Sequence, residues 1–248
     1  MAARIRKGDR VYAHGVVQYT TDDRALVREC RRVLRPGGME LTRRMLAALN
    51  IRAMDDVVEF APGIGATARL TLSLNPSSYT AVERDEAAAK IVSGYLTGPR
   101  QQCKVGSADH TGLEDECATV VYGEAMLTMQ TAEKKHRIVR EAHRLLRRGG
   151  RYGIHELCLV PGDLDKAIKR EIHKALSQAI HVGARPLTVG EWRNLFESEG
   201  FQLQTTAMAP MQLLEPWRLI QDEGLRGAFR FVWNLMRNSE ARRRVRAM

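Results

Sequence analysis

One stretch constrains this chain more than any other: Asp55-Asp56-Val57-Val58-Glu59-Phe60-Ala61-Pro62-Gly63-Ile64-Gly65-Ala66-Thr67. Val57, Val58 and Phe60 suit a short strand covered on both faces, as central parallel strands are. Gly63 and Gly65 permit a turn that residues with a Cβ resist, and they let a ligand approach the main chain. A helix is expected from Ala66 to Leu74, its first N–H groups facing whatever sits in the turn. Glu59 at the strand end would repel a phosphate, so a ligand carrying ammonium or hydroxyl groups fits better. A G-x-G turn also opens dinucleotide-binding units, but the third glycine of that fingerprint is missing, with none after Gly65 until Gly94.

From residue 55 onward strands and helices alternate. Strands are expected over 79–83, 102–106, 118–123 and 152–160, with helices over 85–96 and 132–148, the latter stopped by Gly149-Gly150. Such alternation predicts a doubly wound, mostly parallel α/β sheet with ligands outside the carboxyl ends of its strands. Upstream, residues 1–20 carry no period and suggest an extended arm, followed by helices over 20–34 and 39–50. Residues 161–187 break the rhythm with a helix near 164–181. A helix to Glu199 and a strand over 201–208 follow, and beyond Pro210 the pattern is helical. There Phe229, Val232, Trp233 and Met236 form a stripe suited to core packing or to the contact of a homodimer.

At 248 residues, 44% apolar and 27% charged, the chain has ordinary soluble globular composition. No stretch approaches the ~18 apolar residues of a membrane span, and the first ten residues lack the apolar run of a signal peptide. A cytoplasmic location follows as the default expectation. Cys30, Cys103, Cys117 and Cys158 are scattered, which argues against a disulfide framework or a metal ribbon. The net charge of +10 raises nucleic acid as a partner. Its concentration in 4–10, 134–151 and 237–246, without interleaved aromatic residues, favours a solvated basic surface instead.

Three acids fall at the carboxyl ends of successive strands: Glu59 beside the turn, Glu83 after the second strand and Asp109 after the third. An acid after strand two can accept hydrogen bonds from both ribose hydroxyls, and one after strand three can meet an adenine amino group. Together they describe an adenosine-binding crevice.

Over roughly residues 37–209 the chain resembles the class I S-adenosylmethionine-dependent methyltransferases, most closely their small-molecule, ubiquinone/menaquinone-methyltransferase-like branch. The residues carrying the resemblance are Val57 to Gly65, Glu83-Arg84-Asp85, Gly106-Ser107-Ala108-Asp109, Gly123-Glu124-Ala125-Met126-Leu127 and Leu145 to Tyr152. The resemblance implies a Rossmann-like methyltransferase fold with S-adenosyl-L-methionine as cofactor. Glu59 would contact the methionine ammonium, and the backbone at Ala61, Gly63 and Gly65 would line the methionine. Glu83 would hold the ribose with Arg84 beside the adenine. Asp109 would bond the adenine amino group next to Ala108, and Glu124 would lie where cofactor and substrate meet. It further implies that residues 1–50 supply an arm and lid helices, 51–160 the cofactor-binding core, 161–187 a helical substrate lid and 188–213 the end of the core, with C-terminal helices over 214–248. Ala61-Pro62 departs from the commoner small-residue pair and stiffens the loop. No closing hairpin is visible after Met208, so either 211–214 or the terminal helices would cover the sheet edge.

The expected reaction is methyl transfer to a small hydrophobic or aromatic acceptor by in-line displacement, with no metal. Glu124 and His155 are the candidate catalytic residues, with His14, His173 and His181 able to arrive from the arm or the insertion. The rival readings are an RNA or protein methyltransferase using the basic surface, a non-catalytic binding protein on the same fold, and NAD-dependent reduction.

Overall fold

The computed structural model describes residues 12–17, 38–180 and 182–211, and within these the side chains of residues 12–17, 175, 179, 180, 210 and 211 are left aside. The elements run β1 (Tyr12–Val17), α1 (Gly38–Leu49), β2 (Asp56–Phe60), α2 (Ala66–Ser73), β3 (Ser78–Glu83), α3 (Glu86–Ser93) and β4 (Gln101–Val105). They continue with β5 (Ala118–Glu124), α4 (Ala132–Leu145), β6 (Leu146–Leu159), α5 (Lys166–Ile180), β7 (Leu187–Thr188), α6 (Val189–Ser198) and β8 (Thr206–Met211). The strands make one eight-stranded sheet in the order β4-β3-β2-β5-β6-β1-β8, with β7 pairing β6 off that path. Each pairing is parallel.

The strand period of two sorts the core. Val57, Tyr79, Ala81 and Tyr122 pack with Met45 and Leu49 of α1, Ala68 of α2 and Val92 of α3 on one face. Val58, Phe60, Val82 and Val121 pack with Ile138 and Leu145 of α4 and Trp192 and Phe196 of α6 on the other. Both faces are therefore covered, which is why the central strand β2 is buried at every position. α1 lies close on β6, since a Cβ at Gly153 would come within 2.9 Å of the Leu49 side chain. Helix starts follow local chemistry: Asp85 and Thr131 accept from the backbone of Ala88 and Lys134. Thr188 and Glu191 form a reciprocal capping box on α6.

Three expectations need correcting. Residues 12–17 are not a detached arm but an interior strand between β6 and β8, with His14 opposite both Glu156 and Met208. Partners so distant in sequence leave no local period to read. Gly149-Gly150 do not stop a helix, because α4 ends at Leu145 and Leu146 passes directly into β6. Gly149 (φ 77°) instead serves an irregularity in the β5–β6 ladder, where Ala118 faces Leu146 but Val120 faces Arg151. The last described strand begins at Thr206 rather than 201 and, among the described residues, stands at the end of the sheet. The expected helix over 20–34, those beyond residue 214, their apolar stripe and His181 lie outside the described residues.

Candidate active site

The crevice begins at the turn between β2 and α2. Ala61, Gly63 and Gly65 all have positive φ (52°, 58° and 76°), which glycine adopts freely and alanine only with strain. Nothing lies within 4 Å of a Cβ built on Gly63, so its face is open. A Cβ on Gly65 would fall on the Tyr95 hydroxyl. No side chain caps the start of α2, leaving its first N–H groups directed at the turn. Glu83, buried at the end of β3, braces this loop: its Oε2 accepts from Gly63 N at 2.9 Å and its Oε1 from Asp85 N at 3.0 Å. Each carboxylate oxygen keeps a lone pair for a further donor, as a ribose-binding acid requires. Arg84 is exposed at the rim.

Glu59 lies on the α1–α3 side of the sheet and is 3% exposed. The Tyr79 and Tyr122 hydroxyls both donate to its Oε2 at 2.5 Å, and Thr71 Oγ1 stands 2.6 Å from the Tyr122 oxygen. Burial, then the charge of Glu59, pushes both phenols well above their ordinary pKa. Asp109 accepts from Ser107 Oγ and from Arg137 Nε at 3.2 Å, with Lys134 Nζ at 3.4 Å. Burial acts to raise its pKa, but Ser107, Lys134 and Arg137 outweigh it and hold the carboxyl below the usual range. Ala108 is buried beside it.

Where β5 ends beside β6 the structure brings together the two residues singled out as catalytic candidates. Glu124 Oε1 is 2.8 Å from His155 Nδ1 and accepts from Thr42 Oγ1 at 2.6 Å, while Oε2 accepts from Thr67 Oγ1. His155 is fully buried, whereas the Glu124 side chain keeps 9% exposure. His155 therefore reaches solvent-accessible groups only through partners such as Glu124. His173 is committed elsewhere, donating to the Pro186 carbonyl at 3.0 Å.

Sequence reasoning missed the groups that hold this corner. Thr42 and Thr67 are anchors from α1 and α2, and an isolated threonine gives no signal of that role. Glu156 is fully buried and accepts from the N–H groups of Met126, Leu127 and Thr128 and from Thr128 Oγ1, fixing the loop after β5. Burial raises its pKa against those four hydrogen bonds. Thr128 in turn receives Arg185 N on its carbonyl, and Ser177 of α5 accepts from Ala184 N, so α5 is tied to the same loop. An apolar pattern in Ile154-His155-Glu156-Leu157 interrupted by two ionisable residues was the available signal.

Comparison with known proteins identifies relatives by sequence and by fold. A profile of the methyltransferase domain matches residues 6–41 and 58–154, more than half of the chain. An uncharacterized protein of Haemophilus influenzae is 30% identical over 208 residues, 82% of this chain and 81% of the relative. Among solved structures, a protein described as a methyltransferase of Bacillus halodurans superposes with a TM-score of 0.56 at 18% identity, over 66% of this chain and 70% of that one. An S-adenosylmethionine-dependent methyltransferase of Mesorhizobium loti gives 0.55 at 17% identity, over 65% and 81%. A Galdieria sulphuraria protein proposed to be a sarcosine dimethylglycine methyltransferase gives 0.55 at 16% identity, over 81% and 71%. The last three establish the fold, and the sequence matches establish the kinship: the chain belongs to the methyltransferase domain family and is an S-adenosylmethionine-dependent methyltransferase.

Proposed function

We propose that the chain binds S-adenosyl-L-methionine over the β2–α2 turn and methylates a small acceptor that loses a proton to Glu124. The carrying observation is the Glu124 carboxylate, held between Thr42, Thr67 and His155 at the end of β5. The residues present fit the cofactor. Gly63 leaves an open cradle, the start of α2 offers N–H groups, and Glu83 keeps lone pairs for two ribose hydroxyls. Asp109 and Ala108 would border the adenine, with Arg84 at its outer edge. Glu59 would address the ammonium group.

The bound cofactor supplies an activated methyl group on a sulfonium, itself a good leaving group. The chain's own work is to align the acceptor and exclude water. Glu124 takes up the acceptor's proton, and His155 fixes the orientation of that carboxylate. Glu124 is thus the candidate catalytic residue and His155 a positioning residue. α1 and α5 serve as the lid. Residues 51–160 with 188–213 act as the core, and Ile168 of α5, 47% exposed, is available to cover an apolar acceptor.

The basic surface supports a small acceptor over RNA. Along α4, Arg137 pairs with Asp109 and Glu133, Arg140 with Glu199, and Arg144 with Glu141 and Asp115. Such exposed pairs add little stability, but they neutralise the charge that phosphates would need.

Calorimetry with S-adenosylmethionine tests the reading. Wild type is expected to bind, and Glu83→Gln, which retains an acceptor for Gly63 N, to bind about tenfold more weakly or worse with an unchanged melting curve. Equal affinities would remove the ribose from Glu83. A panel of phenolic and amine acceptors, scored by S-adenosylhomocysteine release, then addresses the substrate. Tight RNA binding with a steep salt slope would favour the rival reading.

A further inference from the structure

The polar groups beneath the β2–α2 turn form a chain that packing alone does not require. Thr71, Tyr79 and Tyr122 are fully buried and Glu59 nearly so, beside an apolar cluster that includes Val57, Ala68, Ala81 and Val120. Burying three hydroxyls and a carboxylate there costs more than burying apolar side chains of the same size. Yet the hydrogen bonds are directed. Both phenols converge on one oxygen of Glu59, Oε2, at 2.5 Å. With the Tyr122 proton committed to Glu59, Thr71 must donate to the Tyr122 oxygen across 2.6 Å. The four groups come from α2, β2, β3 and β5, so the carboxylate is fixed relative to every element that borders the turn. Two donors on one oxygen set the rotation of the carboxylate and therefore the direction of Oε1.

We infer that Tyr79 and Tyr122 are positioning residues for cofactor recognition: by gripping Oε2 they aim the Glu59 carboxylate at the ammonium group of S-adenosylmethionine, so that the site discriminates for the amino-acid end of the cofactor. Because burial keeps both phenols protonated, the grip persists across the working pH range. The inference rests on the cofactor placement proposed above.

The experiment compares calorimetric affinities for S-adenosylhomocysteine and for its desamino form, in which hydrogen replaces the ammonium. Wild type should prefer S-adenosylhomocysteine by about tenfold or more, the range of a charge-assisted hydrogen bond. Tyr79→Phe and Tyr122→Phe should each reduce that preference about three- to tenfold by weakening S-adenosylhomocysteine alone, with the desamino form unchanged within about twofold. Glu59→Gln should abolish the preference, and adding Tyr79→Phe to it should change nothing further, as expected of groups acting through one another. Equal losses for both ligands, or an intact preference in both Phe variants, would overturn the inference. Should Tyr79→Phe lose cooperative unfolding, Tyr122→Phe carries the measurement. Wild type binding neither ligand would instead refute the cofactor placement itself, and the inference with it.

Discussion

Lys135 offers a quantitative test of how this structure handles a buried charge. It is 1% exposed, donates to the carbonyls of Gln130 at 3.2 Å and Arg185 at 2.6 Å, and lies 5.7 Å from the Trp192 ring. Burial pulls its pKa from 10.5 to about 8, against the opposing charge of Glu156. Between those two values the unfolded chain holds the proton while the native state releases it, so stability rises with pH. Integrated from pH 7 to 9.5, this one group contributes about 2 kcal/mol of added stability. Three thiols oppose it in the same window. Burial raises Cys103, Cys117 and Cys158, the last to about 12, so the unfolded chain ionises them first and stability falls. The quantity to measure is therefore a difference. Urea unfolding of wild type and Lys135→Met at half-unit steps should show wild type gaining about 2 kcal/mol on the variant across the window, because both carry the same thiols. Parallel stability curves would refute the desolvated ammonium.

Other perturbations follow from single residues. Ala61→Gly relieves the positive φ of 52° and should raise stability by about 0.5–1 kcal/mol in chemical denaturation without weakening cofactor binding. Tyr152 is fully buried against Phe196 and Phe201, and its hydroxyl finds no hydrogen-bond partner among the described residues. Tyr152→Phe should raise the melting temperature by about 2–4 °C in calorimetry. Thr188→Ala removes the side-chain arm of the α6 capping box, while the backbone N–H at 188 still reaches Glu191, and should cost about 1 kcal/mol, with faster amide exchange confined to the first turn of α6. Glu124→Gln should lower kcat at least about tenfold while S-adenosylmethionine affinity stays within about twofold.

The turn from Glu59 to Gly65 was legible because its chemistry is local: alternation marks the strand, and glycines mark the backbone. Glu83 and Asp109 followed from their distance to that turn along a βα series. Glu124 could be named for the same reason, being the residue at the end of an apolar strand. Its attachment to Thr42 and Thr67 could not, since those contacts span 82 and 57 residues and leave no spacing to read. His155 could be named as a candidate but not as fully buried, and nothing nearby in sequence signals the strand that pairs with the other edge of β6. That strand, β1, was the largest miss. Tyr12-Ala13-His14-Gly15-Val16-Val17 is as long as several of the other strands but lacks a clear alternation, and it gains its identity from partners near residues 156 and 206. Gly149 misled for a related reason, as a glycine after a helical run signals a helix stop unless the partner strand demands a bulge.

The position of β1 has a consequence for how the chain is made. Tyr12 is synthesised well before Thr206, the residue it pairs with. The block β4-β3-β2-β5-β6 consists of neighbours within the preceding 160 residues and is able to assemble while synthesis continues. The β1 segment has no second partner until residues 206–211 are available to close its other side. Non-local pairing of this kind is slow, so the nascent chain passes through a stage in which the edge of β6 is uncovered and open to pairing with another chain. Arrest of translation near residue 200 should therefore leave β2 protected from proteolysis and residues 12–17 more readily cleaved, and a chain extended well past residue 211 should protect both.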